Sequence, residues 1–423
     1  MKLGEGDNFI LKNIDSIKNT FNYLKTFLKW LIIALLVGIV GGVVGSVFHE
    51  SIDAVTHYRE NNRWVMYLLP LGGLLIVWLY SLMPSKGKVD TNRVIDAVKK
   101  DDEKVPLIMT PLIFISTVIT HFLGGSAGRE GAALQLGGSI GYNLGKVCRL
   151  NKTDMHTVVM TGMSAVFSAL FGTPLTAAIF SLEVICVGAM HYAAIVPCVV
   201  SAVVASRIAL WFGLHPVHFG LDIIPTITVG SVSQVIVLAV LCALVSILFC
   251  VAIHKCEHYM EKRFKGPYTR AFVGGVVIIA LTLILGTYDY NGAGMDVVGR
   301  AISGDARYEA FLLKILFTAI TISAGFKGGE IVPAFFIGST FGCVAGSLLG
   351  LDAGFGAALG FVALFCGVVN CPVASIILSV EVFGAEGLLF FAIMCAVTYM
   401  MSGYFGLYKS QEFAYSKLSD ERK

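Results

Sequence analysis

Gly124-Gly125-Ser126-Ala127-Gly128-Arg129-Glu130-Gly131-Ala132-Ala133-Leu134-Gln135-Leu136-Gly137 sets an Arg-Glu pair inside a glycine-rich break between two apolar runs. Ionisable side chains at membrane depth are costly and usually line an ion or proton path, which singles out Glu130. Glycines let backbone N–H groups come close to a ligand, and the apolar run from Ala132 is expected to begin a helix whose positive end faces an anion. A site built this way needs no basic side chain.

A second stretch answers the first: Phe326-Lys327-Gly328-Gly329-Glu330-Ile331-Val332-Pro333-Ala334-Phe335-Phe336-Ile337-Gly338-Ser339. Setting Glu130 on Glu330 also sets Gly138-Ser139 on Gly338-Ser339. Further on, Thr173-Pro174 through Glu183-Val184 mirrors Cys371-Pro372 through Glu381-Val382. The chain therefore carries an internal repeat, each copy with a glycine-interrupted helix start, and paired broken helices point to a transporter's central site. Glu183 and Glu381, acidic in both copies, read as structural groups bonding to backbone N–H.

The 423 residues are 56% hydrophobic and only 14% charged, which excludes an ordinary soluble domain and indicates an all-α polytopic membrane protein in a lipid bilayer. The net charge of +3 and scattered basic residues give no nucleic-acid footprint. Ten cysteines lie mostly in apolar runs without Cys-x-x-Cys spacing and read as packing residues. No P-loop, nucleophile elbow or His-Glu-x-x-His helix is present, so neither an enzyme, a metal site nor a cofactor is read from the chain.

Residues 1–29 form an amphipathic segment whose lysines place it in the cytoplasm by the positive-inside rule. Seven apolar segments follow in 30–215 and seven more in 216–408, with the polar stretch 213–230 as the seam and 409–423 as a short polar tail. An odd number per copy makes the second repeat inverted. Several segments fall short of the ~20 residues a perpendicular span needs, which predicts broken and re-entrant helices meeting inside the protein. The stretches 84–104 and 255–270 are expected to be solvated loops, the second cytoplasmic.

Gly128-Arg129-Glu130-Gly131, the broken-helix pair and the inverted repeat together resemble the CLC family of anion channels and proton-coupled anion antiporters, over about residues 30–410. The resemblance implies the CLC-type inverted-repeat fold, a homodimer with one pathway per subunit, and a gating role for Glu130. Chloride-handling members carry Gly-Ser-Gly-Ile-Pro, Gly-x-Phe-x-Pro and often a glutamate where this chain has Val184. Here the first region reads Asp90-Thr91-Asn92-Arg93-Val94-Ile95, a loose version of the Gly-Asn-Asn-Leu-Ile element of the fluoride/proton antiporter branch. The second reads Gly329-Glu330-Ile331-Val332-Pro333, similar to that branch's Gly-Glu-Val-Thr-Pro. Tyr399 is matched to a late tyrosine of the same branch.

The implied function is proton-coupled fluoride export across a bacterial-type inner membrane. Glu130 and Glu330 then carry gating and proton transfer, and Gly128, Arg129, Gly131, Asn92, Ile331, Val332 and Tyr399 form the anion path. Fluoride is small and strongly hydrated, so its water must be replaced by strong N–H donors. A chloride/proton antiporter, a passive CLC-type anion channel and, from another class, a membrane scaffold or enzyme stand as alternatives at this point.

Overall fold

The computed structural model describes residues 5–83, 90–100 and 103–418, with residues 5–19 as backbone only. Among them sixteen helices fall into two runs of eight. The first holds α1 (Glu5–Asn61), α2 (Leu69–Ser81), α3 (Thr91–Lys99), α4 (Met109–Phe122), α5 (Glu130–Val147), α6 (Lys152–Phe171), α7 (Pro174–Glu183) and α8 (Ile195–Trp211). The second holds α9 (Val229–Arg263), α10 (Pro267–Leu285), α11 (Met295–Ile302), α12 (Ala310–Ser323), α13 (Ile331–Leu348), α14 (Ala353–Val369), α15 (Pro372–Phe383) and α16 (Leu388–Met401). The expected division at 215/216 falls in the irregular stretch between α8 and α9. From Glu5 on, the lead segment runs without a break into the first span as one helix.

Each apolar segment expected from the sequence corresponds to a helix, and one further helix appears in each run. These are α3 and α11, of nine and eight residues, each with one buried face: Val94, Ile95, Ala97 and Val98 in α3, Val297, Val298, Ala301 and Ile302 in α11. Most of 255–270, expected as a loop, is helical; α9 continues to Arg263, and only residues 264–266 separate it from α10. Of the expected loop 84–104, residues 84–89 and 101–102 lie outside the described part. The middle of that stretch is α3, whose N-cap Asp90 accepts from Arg93 N–H at 3.2 Å.

The two runs use the same local devices at matching places. Side chains cap the starts of α6 and α14: Asn151 accepts from Asp154 N–H, and Asp352 from Phe355 N–H. Both helices end on a left-handed residue, Gly172 at φ 69° and Asn370 at φ 55°, and a proline opens the next helix shortly after. The pairs α5/α6 and α13/α14 pack backbone against backbone. A Cβ on Gly137 would lie 2.2 Å from Gly162 O, and one on Gly338 2.2 Å from Gly360 O. Small residues bring membrane helices this close where apolar burial supplies no drive.

Reciprocal contacts join the runs. Glu183 accepts from Val373 and Ala374 N–H at the start of α15 (3.1 and 2.8 Å). Glu381 accepts from Leu175 and Thr176 N–H at the start of α7 (2.9 and 2.8 Å). These two carboxylates therefore do the backbone bonding expected of them. Likewise Ser126 N–H donates to Thr321 Oγ1, and Lys327 N–H to Thr120 Oγ1. Contacts that repeat with the partners exchanged are those of a two-fold pairing.

At 14 residues each, α4 and α12 are about 21 Å long, too short for a ~30 Å hydrocarbon layer. Each stops inside the protein and hands over, through a glycine-rich loop, to α5 or α13. The chain beyond α16 closes one end of the bundle as a strap. Glu412–Phe413 pairs in parallel with Cys186–Val187, and Gln411 Nε2 donates to Val184 O and Val369 O, one from each half.

Candidate anion and proton site

The two glycine-rich loops cross at an antiparallel bridge, Gly128 N–H to Gly329 O at 2.6 Å and Gly329 N–H to Gly128 O at 2.7 Å. The crossing is tight: a Cβ on Gly329 would sit 2.4 Å from Gly131 N. From it α5 and α13 start side by side, and their first N–H groups have no partners within their own helices. Pro333 removes one donor from the α13 turn, leaving Ile331 and Val332.

Glu130, the first residue of α5, is fully buried at this crossing. Its Oε2 accepts from Arg129 N–H at 2.9 Å, and the Val332 amide of α13 faces the same carboxylate. Oε1 is buried without a hydrogen-bond partner. A Cβ on Gly128 would lie 2.4 Å from Glu130 Oε2, so only glycine leaves room for this carboxylate position. Arg129 lies between two carboxylates: Nη1 is 2.9 Å from Asp53 Oδ1 on α1, and Nε is 3.9 Å from Glu130 Oε1.

Glu330 is the residue just before α13, on the opposite flank. A Cβ on Gly131 would be 3.4 Å from its Oε2, which sets the second carboxylate against the residue that follows Glu130. The structure pairs Gly128 with Gly329 and the start of α5 with the start of α13, one residue out of step with the sequence alignment. Glu130 therefore corresponds to Ile331, and Glu330 to Arg129. The glutamates are neighbours at the crossing rather than symmetry mates.

Each carboxylate opens onto its own cavity. One of about 530 Å³ is lined by Glu130, Arg129, Val332, Asp53, Arg59 and His121, with Asp296 and Arg300 from α11. The other, about 730 Å³, is lined by Glu330, Thr91, Asn92, Gln135, Glu257 and Tyr408 among others. Met66, just before α2, lines the first cavity, whereas Tyr80 and Met83 at its far end line the second. Arg270 at the start of α10 and Tyr288 beyond its end repeat this in reverse order, so the cavities lie at opposite ends of both helices. The equivalent helices α3 and α11 face opposite cavities, which is the inversion expressed in three dimensions.

The structure thus gathers Gly128, Arg129, Glu130, Gly131, Glu330, Ile331 and Val332 at one crossing. Asn92 lines the second cavity, but its amide is engaged nearby: Nδ2 donates to Asp90 Oδ2 at 3.3 Å, and Oδ1 accepts from Ser410 N–H at 3.0 Å. Its neighbour Thr91 reaches the crossing instead, donating to Gly131 O at 3.4 Å and accepting from Gln135 Nε2. Tyr399 stands apart from both cavities, with Lys417 Nζ 4.0 Å over its ring. That ammonium also donates to Asn370 Oδ1, Tyr399 O and Ser402 Oγ, and its partial burial in the tail pulls the amine down to about 8.

Four residues of the site carried no signal in the sequence. Tyr408, in the strap after α16, lines the second cavity with a buried, unpartnered hydroxyl. His121 Nε2 meets Gly128 O at 3.2 Å. Asp53 holds Arg129. Lys314, fully buried on α12, donates to Tyr290 O and Gly292 O behind the first cavity.

Residues 72–403 match the family described as voltage gated chloride channel. The chain belongs to the CLC family. Among CLC relatives, a "Chloride/fluoride channel protein" of Pseudomonas syringae pv. tomato is 36% identical over 92% of this chain and 87% of its own length. The "H(+)/Cl(-) exchange transporter ClcA" of Salmonella arizonae is 25% identical over 64% of this chain and 60% of its own length. A crystal structure of "a CLC-type fluoride/proton antiporter" superposes with a TM-score of 0.88 and 31% identity, covering 91% of this chain and 98% of that one. A cyanobacterial Cl-/H+ antiporter superposes at 0.76 with 19% identity, over 88% and 94% of the two chains, and so shares the fold. This CLC chain is a multi-pass membrane protein: among the described residues, six helices are long and apolar enough to span.

Proposed function

We propose that this protein exports fluoride in exchange for protons across the inner membrane, as a homodimer with one pathway in each subunit. One observation carries the reading: the Glu130 carboxylate lies where α5 and α13 begin, a position that suits an anion, with one oxygen unpartnered beside the first cavity. Ionised, the carboxylate occupies the anion position; protonated from the first cavity, it vacates that position for fluoride. Glu330 exchanges protons with the second cavity. Coupling follows because each protonation removes a desolvated charge that would otherwise exclude the anion. With the α1 N-terminus in the cytoplasm, the first cavity faces outward and the second inward. The likeness in name and structure to proteins described as handling fluoride supports the choice of anion, as do the N–H donors at the helix starts.

The test is fluoride release from proteoliposomes, followed with an ion-selective electrode beside external pH, and with chloride-loaded vesicles in parallel. Fluoride efflux with opposing proton uptake and little chloride movement is expected, and Glu130→Gln abolishes the proton-coupled component. Chloride efflux at a similar rate refutes the fluoride assignment; fluoride flux without proton movement refutes the antiporter.

A further inference from the structure

His49 and Asp53 stand one turn apart on α1, facing the start of α5. His49 is 8% exposed; its Nε2 is 2.9 Å from Asp53 Oδ2, and its Nδ1 is buried without a partner. Asp53 spends its other oxygen on Arg129 Nη1 at 2.9 Å, and Arg129 in turn donates its backbone N–H to Glu130 Oε2. A continuous chain of polar contacts thus runs from a buried imidazole to the carboxylate at the crossing. We propose that His49 is a positioning residue for Glu130, acting through Asp53 and Arg129.

The argument is one of competition for a guanidinium. Arg129 stands between two carboxylates, Asp53 at 2.9 Å and Glu130 at 3.9 Å. A carboxylate with both oxygens free takes a guanidinium in bidentate fashion. By donating to Asp53 Oδ2, His49 competes with Arg129 for that oxygen and favours the single contact to Oδ1, with Nε left 3.9 Å from Glu130 Oε1. Packing alone does not account for the histidine, since a buried nitrogen without a partner carries a cost that an apolar side chain of similar size avoids. Other charged or titratable groups around Glu130 include His121, Arg59, Asp296 and Arg300 along the first cavity and His57 and Glu60 beside Asp53 at its rim, with Lys314 behind it and Glu330 and Tyr408 on the inner side. Among the described residues, His49 and Asp53 bond through their side chains only to each other and to Arg129.

This inference rests on Glu130 being the proton-operated gate. The full-length protein in proteoliposomes is assayed for fluoride efflux against external pH, as wild type, His49→Leu, His49→Gln and Asp53→Asn. In His49→Leu, Arg129 is drawn to Asp53 and the Glu130 carboxylate loses support, so the half-maximal pH rises by about one unit, tenfold in proton concentration. His49→Gln keeps an N–H donor at the Nε2 position and retains the wild-type midpoint. Asp53→Asn weakens the competing partner and moves the midpoint the other way. An unmoved midpoint in His49→Leu, or equal shifts in the Leu and Gln variants, overturns the proposal. Should His49→Leu fail to fold, the direction of the Asp53→Asn shift decides. Wild-type fluoride flux without proton uptake would defeat the antiporter reading, and the midpoints would still report the effect of His49 on the gate.

Discussion

Gly128→Ala probes the crossing with one carbon. The Gly128 φ lies outside the left-handed region, so alanine brings no backbone strain there, and the bridge to Gly329 uses only main-chain atoms. The added Cβ would lie 2.4 Å from Glu130 Oε2 and 3.1 Å from Val332 Cβ and Pro333 Cδ. Ordinary contact begins at 3.4 Å, so the carboxylate must retreat by about 1 Å, while the other two contacts need only a few tenths. Of these neighbours the carboxylate alone ends a rotatable side chain, held at Oε2 by the Arg129 N–H and with its Oε1 lacking a partner. Overpacking of this kind costs ~1–3 kcal/mol. Placed on the seated carboxylate alone, that shifts the seated-to-displaced ratio by roughly 5- to 150-fold toward displaced. Gly128→Ala is therefore expected to pass fluoride without protons at a rate at least about fivefold above the wild-type leak, at near-normal thermal stability. The assay is paired fluoride and pH recording in proteoliposomes, with a thermal melt in detergent. Wild-type coupling in a folded Gly128→Ala protein would refute the idea that the carboxylate's seat on Gly128 couples the two ions.

Glu183→Ala leaves the Val373 and Ala374 N–H groups without partners and is expected to destabilise the fold by ~2–5 kcal/mol, read as loss of a thermal transition or of monodisperse protein; near-normal melting would show that another group caps α15. Tyr408→Phe removes a hydroxyl that bonds to nothing, so the melt should hold while fluoride flux or coupling changes; unaltered flux would remove Tyr408 from the pathway. Lys417 is driven from 10.5 to about 8 by desolvation, so the folded protein binds fewer protons than the unfolded chain between those values. Its contribution to stability therefore rises as pH increases through that window. The melting temperature of wild type relative to Lys417→Met should climb from pH 8 to pH 10, and a flat difference would show that the ammonium is not desolvated by the strap.

How far the molecule could be read from its residues depended on whether a feature was local. Gly128-Arg129-Glu130-Gly131 and Gly328-Gly329-Glu330 announce interrupted helices because a carboxylate between glycines has no other use within an apolar run. The repeated Thr/Cys-Pro helix starts carried the correspondence of the halves. At the crossing, identity of residue type misled: the two glutamates aligned with each other, whereas backbone pairing matches glycine to glycine and separates them by one position. The helices α3 and α11 escaped notice because their hydrophobic faces are two turns long and their other faces are polar walls of the cavities. Tyr408 sits in an irregular strap with no periodicity to mark it, whereas Tyr399, matched through the family resemblance, lies on α16 with its ring under Lys417. The pairing of Asp53 with Arg129 joins residues distant in sequence, and no local pattern encodes such a contact.

The exchange of carboxylates between α7 and α15 has a consequence for how the molecule is made. When the first half leaves the ribosome, the Leu175 and Thr176 amides and the Glu183 carboxylate are all waiting for groups not yet synthesised. Neither half can complete its own helix starts in lipid, so the first must be tolerated by the insertion machinery as an unfinished object until the second arrives. Assembly is then committed by two mutual captures at once, and co-expressed halves split between α8 and α9 would be expected to find each other.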